Sequence, residues 1–375
     1  RGGVWVLNPP YLLFYPDRNQ DDVPDGDPEV HLSGFGLEDT HGLANSLHWG
    51  PDGWLYGAQG STTSASIEGI KFLGQAVWRY HPTEKRFELF AEGGGNTWSL
   101  SFDSKGRLFS GTNRGAARGV HYAQGGYYIK SFSKHGPLTN PFAFGFLQHM
   151  EHEGYGERFS QSLEVYEGGA LPGYEGQTIA GMSLTNRMQA SRLLPHGSTF
   201  RTVDSEPIVL TENIWFRPID TKVGPDGAVY ISDWYDFRLS HLSPFDTWHK
   251  DSGRIYRLKS KGAVPIKPFD LSRLTSEELI KTLSHQNQWF RAQALRVLGD
   301  RRDKDVIPRL KKMVSDQQGQ LALEALWALN ASGGFDEAFA LAQLDHPNEH
   351  VRTWTVRLLG DSRKVSRRLQ EKLIQ

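Results

Sequence analysis

Two spacings of apolar residues divide the chain. Up to about residue 260 the apolar residues come in short runs bounded by glycine-rich turns, the pattern of many short strands. From 276 to 375 they recur at helical spacing in segments rich in Leu, Ala and Arg. Between them, Lys259-Ser-Lys-Gly-Ala-Val-Pro-Ile-Lys-Pro268 is basic and broken by proline, and reads as a connector. The expected division is an all-β domain over 1–258, a linker over 259–274 and α-helical repeats over 275–375.

Both halves repeat internally. Ser46-Leu-His-Trp-Gly-Pro-Asp-Gly-Trp-Leu-Tyr56 matches Ser99-Leu-Ser-Phe-Asp-Ser-Lys-Gly-Arg-Leu-Phe109 and Asp220-Thr-Lys-Val-Gly-Pro-Asp-Gly-Ala-Val-Tyr230. Each is a strand, a tight turn ending in glycine, and a second strand. The turn glycines are Gly53, Gly106 and Gly227. Their spacings of 53 and 121 leave room for one degenerate unit, around Gly169 to Thr185. Such a period predicts a β-propeller of the six-bladed type. Recognisable hairpins supply only four or five blades, so the expected ring is open or incomplete. In the second half Ala294-Leu-Arg-Val-Leu-Gly-Asp300 recurs around Ala325 and Val356, at offsets of 31 and 61. His285-Gln-Asn and His346-Pro-Asn mark the same point before the repeated helix. Leu295, Leu298, Leu326, Leu329 and Leu359 then fall on buried stripes. This predicts a HEAT-like solenoid, continuing past residue 375 because no polar capping repeat closes it.

Charge adds little to this picture. Lys and Arg number 42 against 43 Asp and Glu, which disfavours a dedicated nucleic-acid binder. The basic residues of 363–372 read as a solvated helix face. No apolar run is long enough to span a membrane. Cysteine is absent, which excludes a thiolate nucleophile, a thiolate zinc site and covalently attached c-type haem within these residues. The chain begins at Arg1 without a signal-peptide pattern and reads as an internal piece or a processed product.

Three segments together carry a resemblance: Gly2-Gly-Val-Trp-Val6, Asp39-Thr-His-Gly-Leu-Ala-Asn-Ser-Leu-His-Trp-Gly-Pro-Asp-Gly-Trp-Leu-Tyr-Gly57, and Phe216-Arg-Pro-Ile-Asp-Thr-Lys-Val-Gly-Pro-Asp-Gly-Ala-Val-Tyr-Ile-Ser-Asp-Trp-Tyr235 with His241 and Gly253-Arg-Ile-Tyr-Arg257. With them the chain resembles the membrane-bound dehydrogenase family of planctomycetes and verrucomicrobia, in which a propeller precedes HEAT repeats and a CxxCH cytochrome c domain. The resemblance implies an exported, periplasmic oxidoreductase acting on a sugar or other alcohol. It also implies an N-terminal blade before Arg1, and electrons passing to a haem c domain outside this chain. The propeller is more distantly similar to soluble quinoprotein glucose and sorbosone dehydrogenases, which carry pyrroloquinoline quinone (PQQ) and calcium. That likeness implies His41 as the base that takes the hydroxyl proton, and Asn96 as a quinone contact. Two departures stand out. The Arg that precedes this Asn in the quinoproteins is Gly95, and the carboxylate that orients their His would fall near Ala58 or Ser61.

The remaining candidates come from residue chemistry. Asp17, Asn19, Asp21 and Asp25 place oxygens at positions 1, 3, 5 and 9 of a loop, a spacing suited to a structural Ca2+. Arg217 suits an anion clamp or a structural ion pair. Asp233, Trp234 and His241 follow the last hairpin, where Trp234 could stack on a sugar or close a blade. His48 reads as strand packing. His149, Glu151, His152 and Glu153 form the densest group of ligand-type side chains, but the two histidines stand three apart rather than the four of a helical zinc site. The competing function is a non-enzymatic propeller that binds a glycan or protein, with the helical repeats as a docking surface for a protein partner. An acid looped in near His41 would favour the enzyme.

Overall fold

In the computed structural model, which describes residues 2–131, 138–238, 249 and 251–374, the three matching hairpins occupy equivalent places. Gly53, Gly106 and Gly227 each turn the chain from the first to the second strand of a sheet, at φ of +85°, +69° and +72°. Side chains with a Cβ resist this left-handed region, and glycine does not.

Sheet I holds β1 (Gly3–Asn8), β2 (Tyr11–Pro16) and β3 (Glu29–Ser33). Sheet II begins with β4 (Ala44–Trp49) and β5 (Leu55–Gln59). A side hairpin of β6 (Ser64–Ile67) and β7 (Ile70–Leu73) intervenes before β8 (Ala76–His81) and β9 (Arg86–Gly94). Sheet III is short, with β10 (Ser101–Phe102), β11 (Leu108–Ser110) and β12 (Val120–Tyr122). The chain then returns to sheet II, laying β13 (Gly126–Lys130) parallel to β9 and β14 (Phe144–Leu147) parallel to β13. After β15 (Glu151–Glu153), sheet IV runs through β16 (Ser162–Val165), β17 (Thr178–Met182), β18 (Arg187–His196) and β19 (Thr199–Asp204), with β20 (Val209–Leu210) also on β18. The strand β15 covers the outer edge by pairing parallel to β19. Sheet V is β21 (Pro218–Val223), β22 (Val229–Asp233) and β23 (Arg254–Leu258). The degenerate unit expected around Gly169 to Thr185 is part of sheet IV.

The sheets pack in series. Leu12 and Leu32 of sheet I meet Trp78 and Phe87 of sheet II. Tyr56 and Phe90 of sheet II meet Phe102 and Tyr122 of sheet III. Phe109 then meets Leu163, Met182 and Phe200 of sheet IV, and Ile179 and Met188 meet Ile231 of sheet V. Every residue of β5 is buried, because sheet II is covered on both faces. This is propeller-like stacking of five sheets among the described residues, against the four or five blades expected from an incomplete ring of the six-bladed type. No apolar cluster among the described residues joins sheet V back to sheet I.

The chain divides into two compact units, 1–50 with 54–263, and 51–53 with 264–375. The second unit contains α1 (Ser276–Thr282), α2 (Gln288–Arg301), α3 (Ile307–Asp316), α4 (Gly319–Ala331), α5 (Glu337–Gln343), α6 (Glu349–Asp361) and α7 (Arg367–Ile374). All five leucines expected on its stripes are buried. The two marked points are one device built twice. The Asn287 side chain accepts from Trp289 N, and His285 Nδ1 accepts from Asn287 N at 3.0 Å. Arg291 Nη1 donates to the His285 and Gln286 carbonyls. Sixty-one residues on, Asn348, His346 and Arg352 repeat each bond. The helix α4 lacks a side-chain cap and relies on burial, with residues 322–329 all inside.

Three histidines of the β-rich unit sit in packed surroundings. His48, His121 and His149 each have their pKa pushed down to about 4, first by burial. An unfolded histidine titrates near its ordinary value of about 6.5, so between there and 4 the unfolded chain binds more protons. Stability from these groups is therefore complete above about pH 6.5 and drains away as pH falls toward 4. Urea midpoints at pH 7, 5.5 and 4.5 should fall progressively, with net proton uptake on unfolding at pH 5.5. Equal midpoints at pH 7 and 5.5 would refute this assignment. Separately, Asn348→Ala removes a helix cap and the bond from Asn348 Nδ2 to the Gly319 carbonyl. It should lower stability by about 1–2 kcal/mol, read as an earlier loss of helical circular dichroism in urea.

Candidate functional site

The segment Asp39-Thr-His-Gly42 is a tight turn leading into β4, closed by a bond from Gly42 N to the Asp39 carbonyl at 3.0 Å. Asp39 Oδ1 accepts from the main-chain N of His41 and lies 2.9 Å from His41 Nδ1. The other oxygen, Oδ2, accepts from Thr62 Oγ1 at 2.5 Å. These bonds, the Thr62 hydroxyl first and the His41 amide next, hold the Asp39 pKa down to about 2. The imidazole has 58% of its surface open to water, so His41 is no core histidine.

The turn rests against residues 60–63, which follow β5. A Cβ placed on Gly42 would lie 2.3 Å from Thr62 Oγ1, so only glycine lets the two turns meet. Thr63 Oγ1 donates to the Gly42 carbonyl, and Gly60 N to the Leu43 carbonyl. Asn96 approaches the same segment from the loop after β9. It is buried at φ +57°, accepts from Ser61 N through Oδ1 at 2.8 Å, and accepts from Gln161 Nε2 through its carbonyl. Its Nδ2 makes no hydrogen bond among the described residues. Residues 60–62 thus bring the His41 and Asn96 loops into one neighbourhood. Position 95 has no room for a side chain, since a Cβ there would lie 1.8 Å from Thr112 Oγ1 and 3.2 Å from His149 Cε1.

Arg217 is placed differently. It is buried, and its guanidinium donates to the carbonyls of Asp236, Ser183 and Phe237 at 2.7–2.8 Å. Its own N donates to Asp233 Oδ1 at 2.7 Å. Arg217 and Asp233 therefore latch the end of sheet V to residue 183, after β17. Of the two roles open to Arg217, the structural ion pair, for which Asp220 and Asp226 are the nearby acids in sequence, is not formed, since backbone oxygens take the guanidinium donors. Trp234 keeps 43% of its surface exposed, while its main-chain N holds the Arg217 carbonyl. His241 lies outside the described residues.

The acidic loop closes on itself. Asp17 accepts from the amides of Asp21 and Asp22, and Asp21 from Val23 N and Asn19 Nδ2. Asp25 Oδ2 accepts from Arg18. The group at 149–153 is split, with His149 between Thr112 and the Ile129 carbonyl, and His152 beside the buried Arg118–Asp204 pair. No cluster of three or more acids or histidines suited to a metal forms among the described residues. Sequence reasoning missed Asp39 and Thr62. The nearness of Asp39 to His41 in sequence was a usable signal for the first. Thr62 became visible only once the two turns were seen together.

Comparison with known proteins gives the following. Solved structures similar to the chain include an oxidoreductase of Thermus thermophilus described as a glucose dehydrogenase, at 19% identity and TM-score 0.43, covering 66% of this chain and 74% of that one. Another is the PQQ-bound aldose sugar dehydrogenase of Streptomyces coelicolor, at 16% identity and TM-score 0.44, covering 68% and 74%. A third is the apo soluble aldose sugar dehydrogenase of Escherichia coli, at 14% identity and TM-score 0.40, covering 60% and 70%. No curated protein matches the sequence. Residues 276–360 match HEAT repeats. Residues 1–262 match the domain of unknown function DUF7133, and the chain belongs to that family.

Proposed function

We infer that the chain is the substrate-handling part of an exported oxidoreductase that acts on a sugar or other alcohol, with His41 as the base. The observation that carries this is the 2.9 Å contact between His41 Nδ1 and the ionised Asp39. An oriented imidazole is a better base than a free one, and a base must stand within about 3 Å of the proton it takes. The substrate's O–H bond breaks toward Nε2 while the C–H bond breaks, its electron pair leaving for a two-electron acceptor. A c-type haem domain outside these residues would receive the electrons, as the family resemblance implies. Asn96 Nδ2 supplies a donor for a substrate oxygen.

PQQ is a tricarboxylate and asks for cationic donors. Position 95 is a glycine with no space for the quinoprotein Arg, and Arg217 has its donors on carbonyls. These residues do not fit that cofactor. The same observation favours the second reading, a non-enzymatic glycan- or protein-binding propeller with a helical docking surface.

In the intact protein, His41→Gln should cut dye-linked oxidation of the preferred sugar or alcohol by about 100-fold or more, the range for a lost general base. The melting temperature should not move, since the side chain is mostly in water. Full activity in His41→Gln would overturn the enzyme reading. Saturable glycan binding by a wild-type protein without turnover would establish the second.

A further inference from the structure

We propose that Thr62 is a positioning residue for His41, acting through Asp39, so that the three side chains form one relay across two turns. His41 offers two N–H groups to Asp39 Oδ1, one from the main chain and one from Nδ1. An ionised carboxylate only accepts, so the neutral imidazole carries its hydrogen on Nδ1 and Nε2 is the basic nitrogen. Oδ1 alone would not secure this, because the terminal torsion of an aspartate is soft. Thr62 Oγ1 on Oδ2 pins the second oxygen and removes that freedom.

Thr62 is itself held. Its neighbours Gly60 and Thr63 are bonded to Leu43 and Gly42, on the far side of the same turn. Ser61 N is bonded to Asn96. The segment after β5 thus supplies a hydroxyl, the acid comes from two residues before the histidine, and the histidine is held from one pair of turns.

The inference deepens the reading of His41 as a base, but its first readout needs no turnover. Protein carrying 15N-histidine is examined by ring-nitrogen NMR, with His41 assigned by its loss in His41→Gln. The wild type should show the Nδ1–H tautomer. Thr62→Val, which keeps the shape and deletes the donor, should move the tautomer ratio about tenfold toward Nε2–H, the size expected for one hydrogen bond to a charged acceptor. Thr62→Ser should restore it. In the dye-linked assay, Thr62→Val should lower kcat about tenfold with KM unchanged. Unchanged His41 nitrogen shifts in Thr62→Val would overturn the proposal whatever the activity. Shifted resonances in a protein that oxidises no alcohol would uphold the relay and remove the enzyme reading. Should Thr62→Val not fold, Asp39→Ala takes its place, and a His41 tautomer indifferent to Asp39 overturns the relay equally.

Discussion

Neither half of this chain contains an element that can bury its apolar side alone. A three-stranded sheet leaves one or both faces open, and a helix pair leaves at least one, so each is stable only against the next. That constraint sets the period of the sequence. In the β-rich unit it makes residues of adjacent sheets share each cluster, as Tyr56 and Phe102 do at 5.1 Å. In the helical unit it makes α4, with neighbours on both sides, a helix buried from 322 to 329 that stands without a side-chain cap. The exposed residues of β23 mark where the series of sheets ends among the described residues.

Strand pairing places the site. Because β4 and β5 run antiparallel with Ala44 opposite Gln59, the turn into β4 lies beside the segment that leaves β5. Turns in contact expose backbone groups that need partners. Here side chains of adjoining turns provide them: Thr63 for the Gly42 carbonyl, Asn96 for Ser61 N, and Gln161 for the Asn96 carbonyl. Chemistry arises where one of these partners has capacity left over. Asp39 spends both oxygens and thereby orients a histidine that remains in water.

The parts of the fold legible in the sequence are those in which a local rule coincides with the global one. The Gly53, Gly106 and Gly227 turns and the His285 and His346 caps are set by φ preference and hydrogen bonding within a few residues, so they repeat visibly. The return of β13 to sheet II and the parallel addition of β15 were not legible, because parallel pairing with a distant strand leaves no local mark. In the site, His41 stood out through the likeness to the quinoproteins, whose base precedes such a hairpin. Asp39 was not legible, because the quinoprotein likeness points to an acid after the strand rather than before the histidine. Arg217 was legible as important but not in its role, since a guanidinium beside acids looks alike in sequence whether it binds a ligand or the backbone.

The distinction for Arg217 decides whether that residue is available to a ligand. Drawing its guanidinium toward an anion would strip three buried carbonyls of their donor, at about 1–3 kcal/mol each. The new charge-assisted bonds would return about 1.5–3 kcal/mol apiece, and the guanidinium can aim only two of them at one carboxylate. The exchange therefore gains nothing, and Arg217 stays a latch. Near His41, among the described residues, Asn96 Nδ2 is an amide donor without a hydrogen bond, and the imidazole has its acid already in place. A donor beside a base matches a neutral hydroxyl, which accepts at its oxygen and gives up its proton, and does not match a carboxylate, which has no proton to give.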